Sequence, residues 1–202
     1  MLSQFDIVMG LTLPGNPALL LVDIQKGFDN IAYWGGQRNN PDAELRAAEL
    51  LHTWRVNQLP VFHIQHCSTN PVSPLRETNP GNAFKEVVAP IDGEIIIKKN
   101  VNSAFIRTNL EDMLRSAGIN TLVIVGLTTD HRISTTTRMA GNLGFEVYLI
   151  ADATATFCKK GIDGKHFAAE LIHETALASL NNEFATVVPS AFIKQHFTRL
   201  PI

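Results

Sequence analysis

The 202 residues are 45% hydrophobic and 18% charged, which predicts one globular domain over residues 1–202 and argues against disorder. A net charge of −2 gives no electrostatic case for binding nucleic acid, and no apolar run approaches the roughly 20 residues that span a membrane. The first ten residues lack the basic start of a signal peptide, and two cysteines are too few for a disulfide framework, so we expect a cytoplasmic protein.

Apolar runs rich in β-branched residues alternate along the chain with segments of helical periodicity. Most of the runs are continuous, as expected of strands buried on both faces. The predicted strands are Ala18–Ile24, Pro60–Gln65, Glu94–Lys98, Thr121–Gly126, Glu146–Ile150 and Glu183–Val188. The predicted helices are Asp42–Asn57, Thr108–Ala117, His131–Leu143 and His166–Leu180. This order predicts a three-layer α/β/α fold with a mainly parallel sheet.

Two of these helices carry local signals. The second helix begins at Thr108, and Glu111 three residues later gives the spacing of a capping box. In the first helix, the apolar residues that roughly share one face are Leu45, Ala48, Leu51 and Val56.

Charged residues follow two of the predicted strands. Asp23 comes directly after Leu19–Val22, where a buried acid costs free energy unless it is paired or hydrogen-bonded. The alternative is a structural aspartate that caps the next turn. Lys98 and Lys99 follow Ile95–Ile97 and must point in opposite directions in a regular strand, so at most one of them faces a site.

Arg132 lies in the first turn of a predicted helix for which Asp130 or Thr129 is the expected cap. A cation at this place meets the unfavourable end of the helix dipole. We therefore expect a carboxylate nearby, with Asp23 as the candidate. A fully exposed Arg132 is the alternative.

Three motifs in this order resemble those of the isochorismatase-like cysteine hydrolases. Leu20–Phe28 (LLVDIQKGF) resembles the opening motif of that family, and Lys99 precedes Ser103-Ala104-Phe105 in a matching K-x-x-x-S-A-F setting. Gly126–His131 (GLTTDH) is similar to the turn that delivers the nucleophile, in which the bond corresponding to Leu127–Thr128 is cis. The resemblance covers most of the chain and implies the Rossmann-like α/β/α fold of that family.

The resemblance implies that Asp23 is a base, that Lys99 stabilises developing charge, and that the turn at Leu127 and Thr128 aims backbone N–H groups into an oxyanion hole. It places Arg132 where the family has its nucleophilic cysteine. Because a guanidinium is always protonated and is not a nucleophile, we expect the thiol mechanism to be disabled.

Phe28 and Trp34 are candidates for an aromatic wall that binds substrate, with ordinary loop packing as the alternative. No cofactor is expected. His63 and His66 stand three residues apart, which on a strand does not place them on one face, so no metal site is predicted.

The leading functional hypothesis is a hydrolase scaffold for C–N bonds of a small amide or lactam, of the isochorismatase or amidohydrolase type. One alternative is a catalytically silent homologue that holds a small carboxylate on Arg132 and Lys99. Another is thiol-independent hydrolysis of a vinyl ether driven by Asp23. The expected partner is a small-molecule substrate rather than nucleic acid or membrane, and the resemblance implies a homo-oligomer.

Overall fold

Each of the six predicted strands is present in the computed structural model, which describes residues 13 and 15–198. These strands are β1 (Ala18–Val22), β2 (Val61–His66), β3 (Ile95–Lys99), β4 (Thr121–Leu127), β5 (Glu146–Ala155) and β8 (Thr186–Val188). Within the described residues they form one sheet in the order β3-β2-β1-β4-β5-β8, and every neighbouring pair is parallel. The predicted parallel sheet is confirmed.

The helices are α1 (Ile31–Trp34), α2 (Ala43–Val56), α3 (Leu110–Ser116), α4 (Ser134–Asn142), α5 (Ala169–Leu180) and α6 (Ser190–Thr198). One π-helical turn, Thr129–Ile133, precedes α4. Two short strands, β6 (Lys159–Lys160) and β7 (His166–Phe167), pair with each other in an antiparallel hairpin. No helix among the described residues is long and apolar enough to cross a membrane.

Two predicted helix starts are wrong. α3 begins at Leu110 with Asn109 as its N-cap, and no capping box forms: the Thr108 hydroxyl donates to the carbonyl of Ala104 and accepts from the N–H of Leu110. α5 begins at Ala169 rather than His166, since His166 and the residue after it pair in the β6–β7 hairpin. For α5, the strand pairing of His166 excludes that residue from the helix.

Apolar side chains of the sheet alternate between two cores, one on each face. Leu20 and Val22 belong to the core that includes Leu114 of α3 and Ala140 of α4. The opposite core contains Leu19 and Leu21 together with residues of α2 and α6, among them Leu50, Trp54 and Ile193. This arrangement gives the three predicted layers.

The predicted apolar face of α2 is only partly right. Leu51 is buried, but Leu45 and Val56 are 53% and 66% exposed. The buried face contains Ala43, Ala47, Leu50, Leu51 and Trp54. Trp54 orients α2 with this face towards the sheet, because its indole N–H donates a hydrogen bond to the carbonyl of Pro17 and its ring packs in the core.

From β1, the strands β2 and β3 follow on one side of the sheet, and β4, β5 and β8 follow on the other side. The strand order therefore reverses between β1 and β4, which lie side by side and are parallel. In α/β sheets of this kind the crevice at the carboxyl ends of such strands is the usual binding site. Val22 is in register with Gly126, so Asp23 and Leu127 follow at neighbouring strand ends. Gly126 has a φ of +129°, and a Cβ there would lie 2.0 Å from the carbonyl oxygen of Val22, so only glycine fits this close pairing.

Candidate active site at the strand ends

Asp23, the residue after β1, forms a buried ion pair with Lys99, the last residue of β3. Lys99 Nζ donates a 2.6 Å hydrogen bond to Asp23 Oδ2, and both side chains are fully buried. The ammonium also donates to the carbonyl of Val101. Lys98 points the other way and pairs with Glu77 at the surface, as expected of adjacent residues in a strand.

The side chain of Arg132 turns inward from the π-helical turn after β4. Its Nε lies 3.3 Å from Asp23 Oδ2, and the side chain is only 9% exposed. The carboxylate that the helix-dipole argument required is therefore Asp23, and the exposed alternative for Arg132 is wrong. The expected cap is also wrong: no side chain caps the turn, and Asp130 instead accepts a hydrogen bond from the Thr156 hydroxyl.

The peptide bond between Leu127 and Thr128 is cis, and both residues are buried. The next residue, Thr129, is hydrogen-bonded through its hydroxyl to Nδ1 of His173 on α5, at 2.9 Å. The side-chain nitrogen of Asn40 lies 3.3 Å from the other ring nitrogen, Nε2. The same side-chain nitrogen of Asn40 donates to the carbonyls of Ala151 and Thr154. The turn is thus fixed by two residues that the motifs did not single out.

His66 ends β2, the strand between those of Asp23 and Lys99, and it is in register with Lys99. Burial, together with the charges of Lys99 and Arg132, lowers the pKa of His66 to about 3, so the imidazole is neutral at pH 7. His63 lies apart from this cluster and contacts Glu94 at 2.8 Å. Among the described residues, no group of three or more histidine, cysteine, aspartate or glutamate side chains could hold a metal ion.

The guanidinium of Arg132 packs against aromatic rings. Its central carbon lies 5.4 Å from the ring centre of Phe28 and 5.2 Å from that of Trp34. Those two rings stack at 4.6 Å, and the Trp34 indole donates a hydrogen bond to the carbonyl of Gly27. Phe157, which the sequence did not indicate, extends the stack next to Trp34. The structure therefore brings Phe28 and Trp34 to the same place as the charged cluster.

The Isochorismatase domain model matches residues 17–192. The chain belongs to the isochorismatase family. The isochorismatase family protein YrdC of Bacillus subtilis is 48% identical over 184 residues, which are 89% of this chain and 97% of YrdC. Nicotinamidase 3 of Arabidopsis thaliana is 29% identical, over 85% of this chain and 83% of the relative. A crystal structure of an isochorismatase-family protein from Chromobacterium violaceum has a TM-score of 0.89 and 42% identity, and covers 94% of this chain and 98% of that chain.

In this isochorismatase-family site, one carboxyl group lies between two buried cations. Burial raises the pKa of Asp23, although Lys99 and then Arg132 oppose this effect. Burial also lowers the pKa of Lys99 and of Arg132, against the attraction of Asp23. With all three groups ionised the cluster carries a charge of +1. Such a site can exchange a proton at Asp23 and can stabilise negative charge on a bound molecule.

Proposed function

We propose that this chain carries the site of a C–N hydrolase for small amides or lactams in which Arg132 blocks the thiol step. The observation that carries the proposal is the convergence of position 132 and Lys99 on Asp23, at 3.3 Å and 2.6 Å. These are the three positions to which the sequence motifs assign the family chemistry. The relative named as a nicotinamidase supports an amide as the substrate class.

A cysteine at position 132 would stand next to Asp23 as its base, with the Lys99 ammonium close by. A helix start and a nearby cation both lower the pKa of a thiol and favour the reactive thiolate. Backbone N–H groups of the turn after Leu127 and Thr128 would stabilise the oxyanion that forms when the thiolate attacks a carbonyl. Asp23 would return the proton to the leaving nitrogen.

Arg132 supplies none of this nucleophilic chemistry. Its guanidinium has no proton to give up near neutral pH and no nucleophilic lone pair. Its side chain also lies between Asp23 and the rings of Phe28 and Trp34, where a substrate carbonyl would have to approach. The proposal therefore predicts a site that is complete except at one position.

The test is to assay the native chain, Arg132→Cys and Arg132→Ala against a panel of small amides and lactams. We expect hydrolysis with Arg132→Cys only, and we expect the double variant Arg132→Cys/Asp23→Asn to lose it. Arg132→Ala is the matched control, because it clears the same space without adding a thiol. If Arg132→Cys were inactive on the whole panel, or no more active than Arg132→Ala, the proposal would be wrong.

Hydrolysis of the vinyl ether isochorismate by the native chain would instead support chemistry driven by Asp23, provided that Asp23→Asn abolished it. A small-molecule substrate, a cytoplasmic location and a single domain over residues 1–202 remain part of the proposal. The proposal also includes assembly as a homo-oligomer, which light scattering of the purified chain would test.

A further inference from the structure

The β6–β7 hairpin forms an arm, residues 159–167, that stands apart from the main sheet. Within the described chain its two strands pair with each other and with no other strand. Its base is held by Lys159, whose Nζ lies 3.3 Å from Oδ2 of Asp130. At its tip the side chain of Ile162 is fully exposed. In a single chain this isoleucine buries no apolar surface, so a contact with another molecule that covers it would be stabilised by the hydrophobic effect.

Further apolar side chains are exposed beside this arm. They are Leu171 on α5, the helix that directly follows the arm, and Ile31 and Tyr33 on α1. The end of α1 adjoins the base of the arm, because a Cβ on Gly35 would lie 2.4 Å from the carbonyl oxygen of Cys158. The three segments surround a recess that is lined by Gly35, Gln37, Cys158, His166, Phe167 and Ala168. A protruding apolar tip beside a recess with an apolar rim is typical of an interaction surface.

The charged side chains of this surface have opposite signs on the arm and on α5. The arm carries three lysines and one aspartate, and Lys160 and Lys165 are exposed without an ion pair among the described residues. On α5, Glu170 and Glu174 lie about one helical turn apart, and they too are exposed and form no ion pair in the described part of the chain. One copy of the chain therefore presents a basic strip and an acidic strip that do not pair with each other.

A second copy of this chain matches both strips at once. In a two-fold dimer the same surface of each copy faces the other, so each arm can lie on α5 of the other copy. Complementary charges in such a contact steer association and favour this pairing over others. An anionic membrane or a nucleic acid would attract the lysines of the arm but would be repelled by Glu170 and Glu174 beside them. The charge pattern therefore favours a second copy as the partner.

We infer that this chain forms a two-fold dimer in which the arm of each copy docks on α5 of the other. The lysines of the arm pair with Glu170 and Glu174 of the second copy. Ile162 packs against Leu171 of the second copy and against the recess beside it. Because the base of the arm is tied to Asp130 in the turn after β4, the contact lies beside the candidate active site. The inference rests on the proposed function only for the homo-oligomer, for which it names the surface.

Sedimentation velocity of the native chain at a series of micromolar concentrations measures its self-association, and we expect a dimer. Ile162→Asp should weaken the dimer by about tenfold or more, because it removes the apolar contact and brings a negative charge to the acidic face of α5. Val72→Asp is the matched control: Val72 is exposed but lies between β2 and β3, whereas the arm follows β5 near the other edge of the sheet. A monomeric native chain, or an equally strong dimer in Ile162→Asp, would overturn the inference.

Charge reversal tests whether the arm meets α5. Lys160→Glu/Lys165→Glu places like charges against the acidic helix, and Glu170→Lys/Glu174→Lys does the same against the basic arm, so each variant alone should be monomeric. In an equal mixture of the two variants both arm–helix contacts regain opposite charges, and we expect heterodimers. All four residues are exposed, so both variants should fold, which near-ultraviolet circular dichroism checks. If one did not, Lys165→Glu and Glu170→Lys would replace the double variants, and a mixture of folded variants that stays monomeric contradicts the inference.

The dimer and the hydrolase fail separately. Charge-reversed variants that each stay dimeric would keep the homo-oligomer but place its interface elsewhere, which overturns this inference. A monomeric native chain that binds vesicles of anionic phospholipid, and loses this binding in Ile162→Asp, would identify a membrane as the partner of the arm and would also overturn it. Hydrolysis by Arg132→Cys is measured in its own assay, so the proposed chemistry is accepted or rejected whichever of these results is found.

Discussion

Arg132 Nε lies 3.3 Å from Asp23 Oδ2, the same oxygen that accepts the hydrogen bond from the Lys99 ammonium. Asp23 therefore contacts both cations, and Asp130 attracts Arg132 from farther away. Because the Asp23–Lys99 contact is shorter and hydrogen-bonded, Arg132 is the less compensated of the two. A buried charge without a full partner lowers the stability of the fold.

Replacing Arg132 by methionine should therefore leave the free energy of unfolding unchanged or raise it by about 1–3 kcal/mol. The Asp23–Lys99 pair stays intact in this variant, and the apolar methionine side chain can pack against the rings of Phe28 and Trp34. Urea unfolding at neutral pH measures the change. Arg38→Met is the matched control: Arg38 is similarly buried but forms a two-pronged ion pair with Glu44, so its loss should destabilise the protein. A clear loss of stability in Arg132→Met would show that the guanidinium is well compensated.

The neutral state of His66 makes stability depend on pH. Its pKa is about 3 in the folded chain and about 6.5 in an unfolded one, so only the unfolded state takes up the proton as the pH falls below about 6.5. Stability should therefore fall between pH 7 and pH 5, and His66→Gln should remove about 1–2 kcal/mol of that fall. Unfolding curves at both pH values test this. His52→Gln, at an exposed histidine, should leave the fall unchanged, and an equal fall in His66→Gln would contradict the assignment.

The strand ends and their charged residues could be predicted because a strand buried on both faces shows itself as an apolar run. A cation at a helix start requires a nearby carboxylate, and the structure confirms the contact of Arg132 with Asp23. The hydrogen bond between Thr129 and His173 could not be predicted in this way, since it joins residues 44 positions apart on a turn and a helix. The sequence indicates His66 only as a candidate metal ligand, because the charged residues that surround it, Lys99 and Arg132, come from distant parts of the chain.

Gly126 controls how closely β1 and β4 approach at the site. Gly126→Ala would place a Cβ 2.0 Å from the carbonyl oxygen of Val22 at a φ of +129°, so the strands would have to separate. We expect a loss of stability of more than about 3 kcal/mol, or an insoluble protein. Gly144→Ala is the matched control: φ is +81° there, but nothing lies within 4 Å of the added carbon, so the loss should be about 1 kcal/mol. Similar losses in the two variants would rule out the steric explanation.

Glu94 holds His63 and Arg55 together, which assigns His63 a structural role. Burial would raise the pKa of Glu94, but hydrogen bonds from Arg55, the Ile91 backbone and His63 outweigh it and lower the pKa to about 2. Because the folded pKa lies below the usual value of 4.5, the stabilisation is present above about pH 4.5 and is lost as the pH falls towards 2. Glu94→Gln should therefore cost about 1–2 kcal/mol at pH 7.

Chemical unfolding of the native chain and of Glu94→Gln from pH 7 to pH 3 measures this difference, which should shrink as the pH falls below 4.5. Glu86→Gln is the control at the surface, where the pair with Lys26 is exposed to water and screened by salt, so its removal should change little. A Glu94→Gln variant as stable as Glu86→Gln at pH 7 would mean that the Arg55 and His63 contacts do not contribute to the fold. The contact with Glu94 would then not explain why His63 is buried.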